Sequence, residues 1–127
     1  DVYKRQIRQF ITGAGSELDE FAKPLGASLD QLDGLTEWVL QQAKGNPNEI
    51  GAASVEYLHA FGYVAYAYMW ALMAQAARAG EGDEAFYSGK LGTARFFFAR
   101  LLPRVDSLVA SVKAGSESLY LLDAEQF

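Results

Sequence analysis

The chain lacks cysteine altogether and has one histidine among its 127 residues. Without thiols, a disulfide scaffold, thiol catalysis, iron–sulfur clusters and every cysteine-containing zinc site are excluded. A single imidazole leaves no histidine pair for a metal or a proton relay. The formal net charge of −5 argues against a nucleic-acid-binding protein, because such proteins usually carry a surplus of basic residues.

Half of the residues are apolar, which is enough to build one hydrophobic core in a chain of this length. Turn-forming residues cluster at positions 45–48 and 80–83, and long segments with helical periodicity lie between them. The pattern predicts an all-α fold, an antiparallel bundle of three long helices with short flanking ones. We divide the chain into an N-terminal segment, residues 1–15, and a helical bundle domain, residues 16–127.

The chain begins at Asp1 without an initiator methionine, so we expect it to be a fragment of a longer protein. Residues 1–6 resemble a translated sequencing adapter, and we leave open whether they are native. No signal sequence is recognisable and cysteine is absent, which together predict a cytoplasmic location.

The first long helix is predicted from a cap at Ser16 to Ala43, with a kink or a broken first turn caused by Pro24. The third is predicted from Asp83 to Ala114, with Gly115 closing it as a left-handed cap. Pro103 lacks an N–H, so we expect a bend near residues 99–103.

The second long helix has two possible starts, at about residue 47 or at about residue 54, and ends at Ala79. No charged residue occurs between His59 and Arg78. The interval is rich in alanine and contains tyrosines and a glutamine, so a membrane span is rejected. Because the helix is apolar on nearly all sides, we expect it to be the central helix, buried all round.

Charge differs between the outer segments. Residues 16–37 contain six acidic residues and one lysine, a net charge of −5, whereas residues 90–113 contain five basic residues and one aspartate, a net charge of +4. The two outer helices are therefore expected to attract each other, which orients the bundle without holding it together.

Few residues could support chemistry. Glu56 precedes His59 by one helical turn, so a Glu–His pair is possible, although an ordinary helical histidine is the favoured interpretation. Arg95, Arg100 and Arg104 could bind an anion, but the acidic first helix offers them the simpler partner.

Three consecutive phenylalanines, residues 96–98, cannot all face one core, because neighbours on a helix are about 100° apart. At least one must point away from the bundle. With the aromatics of the central helix, this predicts a packing surface for another domain or subunit; a hydrophobic ligand pocket is the alternative use. The predicted interface residues are Phe96, Phe97, Trp70, Arg100 and Arg104.

Several short strings, in order, resemble the C-terminal extension of a bacterial branch of the acyl-CoA dehydrogenases, including enzymes described as methylmercaptopropionyl-CoA dehydrogenases. The resemblance covers the chain from about residue 16 to its end. The strings are Tyr57-Leu58-His59-Ala60-Phe61-Gly62, Tyr68-Met69-Trp70-Ala71, Phe86-Tyr87-Ser88-Gly89-Lys90-Leu91, Thr93-Ala94-Arg95-Phe96-Phe97-Phe98, Leu101-Leu102-Pro103-Arg104 and Ala114-Gly115-Ser116-Glu117-Ser118-Leu119.

The resemblance implies a parent oxidoreductase of fatty acid metabolism that uses FAD to oxidise acyl-CoA thioesters at the α,β bond. Its catalytic glutamate and flavin-binding strands would lie upstream, so no catalytic, cofactor-binding or metal-binding residue is assigned here. The fragment would be a non-catalytic structural domain that binds no cofactor. Its expected partners are the flavoprotein body of the same chain and a neighbouring subunit of a homo-oligomeric parent. The alternative is a stand-alone helical module that binds a hydrophobic or acyl ligand.

Overall fold

The computed structural model describes residues 2–127, and most of them are helical. No strand occurs among these residues, so the predicted all-α bundle is confirmed. The helices are α1 (Val2–Gly13), α2 (Asp19–Ala43), α3 (Asn48–Ala79), α4 (Glu84–Phe96) and α5 (Arg104–Lys113), with a π-helical turn at Phe97–Leu101 and 3₁₀ turns at Ser16–Leu18, Glu117–Tyr120 and Ala124–Gln126.

Helix α2 supplies five of the seven largest fully buried side chains of the core. Its buried residues recur every three or four positions, so they form one stripe along the helix. The helix continues through Pro24. Ser16 does not cap it as predicted, because this residue begins the preceding 3₁₀ turn and makes no capping hydrogen bond to α2. The stripe consists of Phe21, Leu25, Leu29, Leu32 and Leu35.

Helix α3 is central and packs against α2, α4 and α5. It begins at Asn48, which agrees with the earlier of the two predicted starts. Its buried face, called the inner face below, is made almost wholly of alanine, and such small side chains let the neighbouring helices come close. The inner face consists of Ala53, Ala60, Val64, Ala67, Ala71, Ala74 and Ala77.

The third predicted helix is divided in two. The Leu102 amide donates to the Phe97 carbonyl at 3.0 Å, a hydrogen bond that spans five residues and defines the π-helical turn. Pro103 follows directly and α5 begins after it. The helix is therefore interrupted in the region where a bend was predicted, residues 99–103, next to the proline that lacks an amide N–H. Gly115 ends the helical region with φ of 79°, the left-handed conformation that glycine adopts without strain.

Helix α1 lies beside α2 and is joined to it by side chains. Ile7 is buried in the common core. Lys4 and Arg8 form ion pairs with Asp33 at 2.7 and 2.9 Å, and Arg8 also reaches Asp30 at 2.7 Å. Of residues 1–6, whose native origin was left open, Asp1 lies outside the described residues and residues 2–6 belong to this helix.

A second polar contact lies where α2 connects to α3, at the start of α3. The Glu49 carboxylate, in the first turn of α3, accepts hydrogen bonds from the Ser116 amide at 3.1 Å and from its hydroxyl at 2.7 Å. Asn46 also donates to the Ser116 hydroxyl, at 3.1 Å. Ser116 is buried, so these bonds satisfy polar groups that would otherwise be costly inside the fold.

Candidate interaction surface

The three consecutive phenylalanines point in different directions. Phe97 is buried, Phe98 is partly buried with its ring 5.3 Å from that of Phe21, and Phe96 is 58% exposed. The prediction that at least one of them leaves the core is confirmed by Phe96. Phe97, by contrast, is buried in the core of this domain, three residues after the buried Ala94 of α4.

The other predicted interface residues lie at or near the surface. Trp70 is half-buried and touches the edge of the core. Arg104 donates to the Tyr63 hydroxyl at 3.3 Å, which places its guanidinium beside α3. Arg100 is exposed and makes no ion pair within residues 2–127. Helix α2, the acidic helix that was expected to pair with the arginines, therefore neutralises neither Arg100 nor Arg104.

Arg95 differs from the other two arginines. Its Nε and Nη2 atoms donate to the two oxygens of Glu20 at 3.0 and 2.9 Å, and Arg78 reaches the same carboxylate. The hydrogen bond from Arg95 holds the pKa of the Glu20 carboxyl below its ordinary value; partial burial opposes this shift and Arg78 reinforces it. The expected attraction between the acidic and basic segments is thus realised at one carboxylate, which joins α2, α3 and α4.

The side of α3 opposite its alanines is exposed and apolar, contrary to the prediction that the helix is buried all round. This outer face occupies an arc of about 100°, and its large side chains are between 36% and 66% exposed. Gly62 and His59 lie among them. No charged residue interrupts the face after His59. The large residues of the outer face are Val55, Leu58, Tyr66, Met69 and Met73.

A hollow of about 410 Å³ lies in the middle of the outer face, where Gly62 has no side chain. Leu58, His59, Tyr63 and Tyr66 surround it. A methyl group added at Gly62 would meet no atom within 4 Å, so the hollow is open towards the solvent.

An apolar groove of about 600 Å³ lies between the second half of α2 and the first half of α3. Leu40, Ile50 and Leu58 form its exposed rim. The Thr36 and Tyr57 hydroxyls bond to each other at 2.7 Å along its wall, and Thr36 also donates to the Leu32 carbonyl, so these polar groups already have partners. Leu58 belongs to both the groove and the outer face, which makes the apolar surface continuous.

His59 is exposed, and no carboxylate bonds to it in the part of the chain that the structure describes. Glu56 lies one turn earlier without forming a Glu–His pair. Residues 2–127 also contain no group of three histidine, aspartate or glutamate side chains arranged for a metal ion. Over the same range, no helix is sufficiently long and apolar to cross a bilayer.

The chain was compared with known proteins. No curated protein gives a significant match. Residues 4–123 match the family described as acetyl-CoA dehydrogenase C-terminal like. The match includes α1 through α5 apart from the first residues of α1, so it covers the whole bundle. The chain therefore belongs to the acetyl-CoA dehydrogenase C-terminal-like family.

Proposed function

We propose that this chain is a non-catalytic structural and interaction domain of an FAD-dependent acyl-CoA dehydrogenase that oxidises acyl-CoA thioesters at the α,β bond. The observation that carries the proposal is the family match over residues 4–123. The site residues agree with a binding role: His59 is solitary and exposed, while large apolar side chains lie at the surface. The flavin and the catalytic base then belong to a preceding body.

The exposed part of the aromatic segment is the proposed contact with that body. Phe96 presents an apolar ring and Arg100 presents a guanidinium without an ion-pair partner in residues 2–127. An aromatic anchor beside an arginine is a combination enriched at the energetically important points of protein interfaces. A partner surface with an apolar pocket and a carboxylate would complement both groups.

The decisive experiment is to read the source DNA upstream of the codon for Asp1. We expect an in-frame acyl-CoA dehydrogenase body. A start codon immediately before residue 7 would contradict the proposal. In the complete enzyme, Phe96→Glu is expected to loosen the domain from the body, seen as faster proteolytic release, with Phe86→Glu as the control on the same helix and of similar exposure.

The second candidate function is a helical module that binds an acyl chain, and the groove between α2 and α3 is the observation that favours it. Its volume of about 600 Å³ falls in the range usual for small-molecule sites. Trp38 lies on α2, the helix that forms one wall of this groove. Quenching of tryptophan fluorescence by micromolar fatty acyl-CoA, lost in Leu58→Asp, would support this function; an unchanged spectrum up to millimolar ligand would contradict it.

A further inference from the structure

The outer face of α3 carries an exposed aromatic side chain next to an open hollow. Tyr66 is 63% exposed, and the hollow at Gly62 lies one helical turn before it on the same face. We propose that this face binds the same face of a second copy of the chain, with the two α3 helices antiparallel and related by a two-fold axis. The proposal does not depend on the proposed function.

The spacing of the outer face indicates a helical occupant. From Val55 to Met73 its residues follow one another at steps of three or four, which is the arrangement that a second helix fits. At 1.5 Å per residue this face is about 27 Å long. It is apolar over that length, so an apolar helix face matches it better than a charged one.

Its residues are also arranged symmetrically about one point. A two-fold axis midway between Gly62 and Tyr66 places each of these residues opposite the other in the second copy. Tyr66 of each copy then enters the hollow at Gly62 of the other. The same axis sets Val55 opposite Met73, so each end of the face meets the other end. Such a self-complementary patch is what a two-fold interface requires.

The next pair around the axis is also compatible. His59 lies opposite Met69, which places a thioether beside an imidazole ring. Sulfur–aromatic contacts of this type are favourable. Since no charged residue occurs between His59 and Arg78, the pairing brings no like charges together along the centre of the face. The groups flanking it are Glu56 on α3 and Arg104 on α5.

The first test is the mass of the full chain in solution, measured by sedimentation equilibrium over a wide concentration range. One helix face lies at the small end of stable protein interfaces, so we expect a dimer of twice 13.9 kDa that dissociates on dilution. A monomer at every concentration, including several hundred micromolar, overturns the proposal. A monomeric chain would not contradict the proposed dehydrogenase-domain function. The outer face would then be expected to bind a different partner.

The second test fills the hollow. Gly62→Leu has room for its side chain and replaces glycine inside a helix, so the fold is expected to be retained with an equal or higher melting temperature. Dimerisation is expected to weaken at least tenfold, because Tyr66 of the other copy loses its site. Gly34→Leu is the matched control, since Gly34 is an exposed glycine in α2 with equally open space. A dimer that tolerates Gly62→Leu contradicts the proposed contact.

The third test fixes the register, and the absence of native cysteine makes it direct. His59→Cys and Met69→Cys are prepared as separate proteins and then oxidised alone or mixed. We expect a disulfide-linked dimer mainly in the mixture, because position 59 faces position 69 of the other copy. Cross-linking of either variant with itself at an equal rate would show a parallel or shifted pairing and overturn the arrangement, as would a mixture that fails to link.

Discussion

The inner and outer faces of α3 are both apolar, yet they differ in side-chain size and in burial. Six of the seven inner-face residues are alanine, and most of these are completely buried. On the outer face lie leucine, tyrosine and methionine, which are substantially exposed. Burial along this helix therefore follows the space between helices and not the hydrophobicity of the residue.

The two faces of α3 have different physical roles. The alanines let α2 and α5 approach α3 closely, and the large leucines of α2 fill the space that remains. The outer side chains add nothing to this core. Each square ångström of apolar surface removed from water is worth about 25 cal/mol, so the outer face can stabilise an assembly but not the isolated chain.

The largest expected effect comes from emptying the core opposite the inner face. Leu29→Ala is expected to lower the free energy of unfolding by about 2–5 kcal/mol, because Leu29 is completely buried and a cavity would remain. Urea denaturation measures the change. Leu40→Ala is the control, since Leu40 is 58% exposed on the same helix. Equal losses for the two variants would contradict the division between core and surface.

Overfilling the inner face is expected to have the next largest effect. Ala71→Leu is expected to cost about 1–3 kcal/mol, because the side chain has no room where Ala71 is completely buried. Ala76→Leu places the same side chain at an exposed position of the same helix and is expected to change stability little. If thermal unfolding showed no difference between these two variants, the close approach at the alanine face would be disproved.

On the outer face, a small residue can be enlarged without strain. Gly62→Ala is expected to stabilise the chain by about 0.5–1 kcal/mol, because alanine favours helix and its methyl group meets no atom. Gly115→Ala gives the contrasting case: its φ of 79° disfavours alanine, and we expect a loss of about 1–2 kcal/mol. Thermal unfolding checks both statements: the melting temperature is expected to rise for Gly62→Ala and to fall for Gly115→Ala.

The smallest expected effect concerns the Glu20 carboxylate that joins α2, α3 and α4. Its folded pKa is lowered, so its stabilisation is complete above the ordinary glutamate pKa of about 4.3 and disappears as the pH falls through the lower folded value. Because Glu20 is partly exposed, Glu20→Gln is expected to cost only a few tenths of a kcal/mol at neutral pH.

The contribution of Glu20 to stability is measured by comparing the melting temperatures of Glu20→Gln and the native chain between pH 7 and pH 3. The two curves are expected to converge as the pH falls. Glu37→Gln serves as the control because Glu37 is exposed and forms no ion pair within residues 2–127. A gap that widens in acid would contradict the assigned sign.

Sequence patterns predicted the elements whose causes are local. The apolar spacing of α2, the break before Pro103 and the left-handed Gly115 each depend on a few neighbouring residues. The exposure of Phe96 confirms that one phenylalanine of the triplet leaves the core, whereas the sequence could not show that Phe97 turns inwards. Steps of three and of four from the buried Ala94 lead to Phe97 and to Phe98, so the spacing alone could not choose between these two rings.

The sequence by itself determined an all-α fold, the division of the chain at its turns and the charge that draws α2 and α4 together. Only the tertiary structure decided which side of α3 is covered, because an alanine-rich apolar helix has no polar face to show where water lies. The packing of the neighbouring helices decided it. The large leucines of α2 leave room only for small side chains, so the alanines of α3 lie inside and its tyrosine and methionines remain outside.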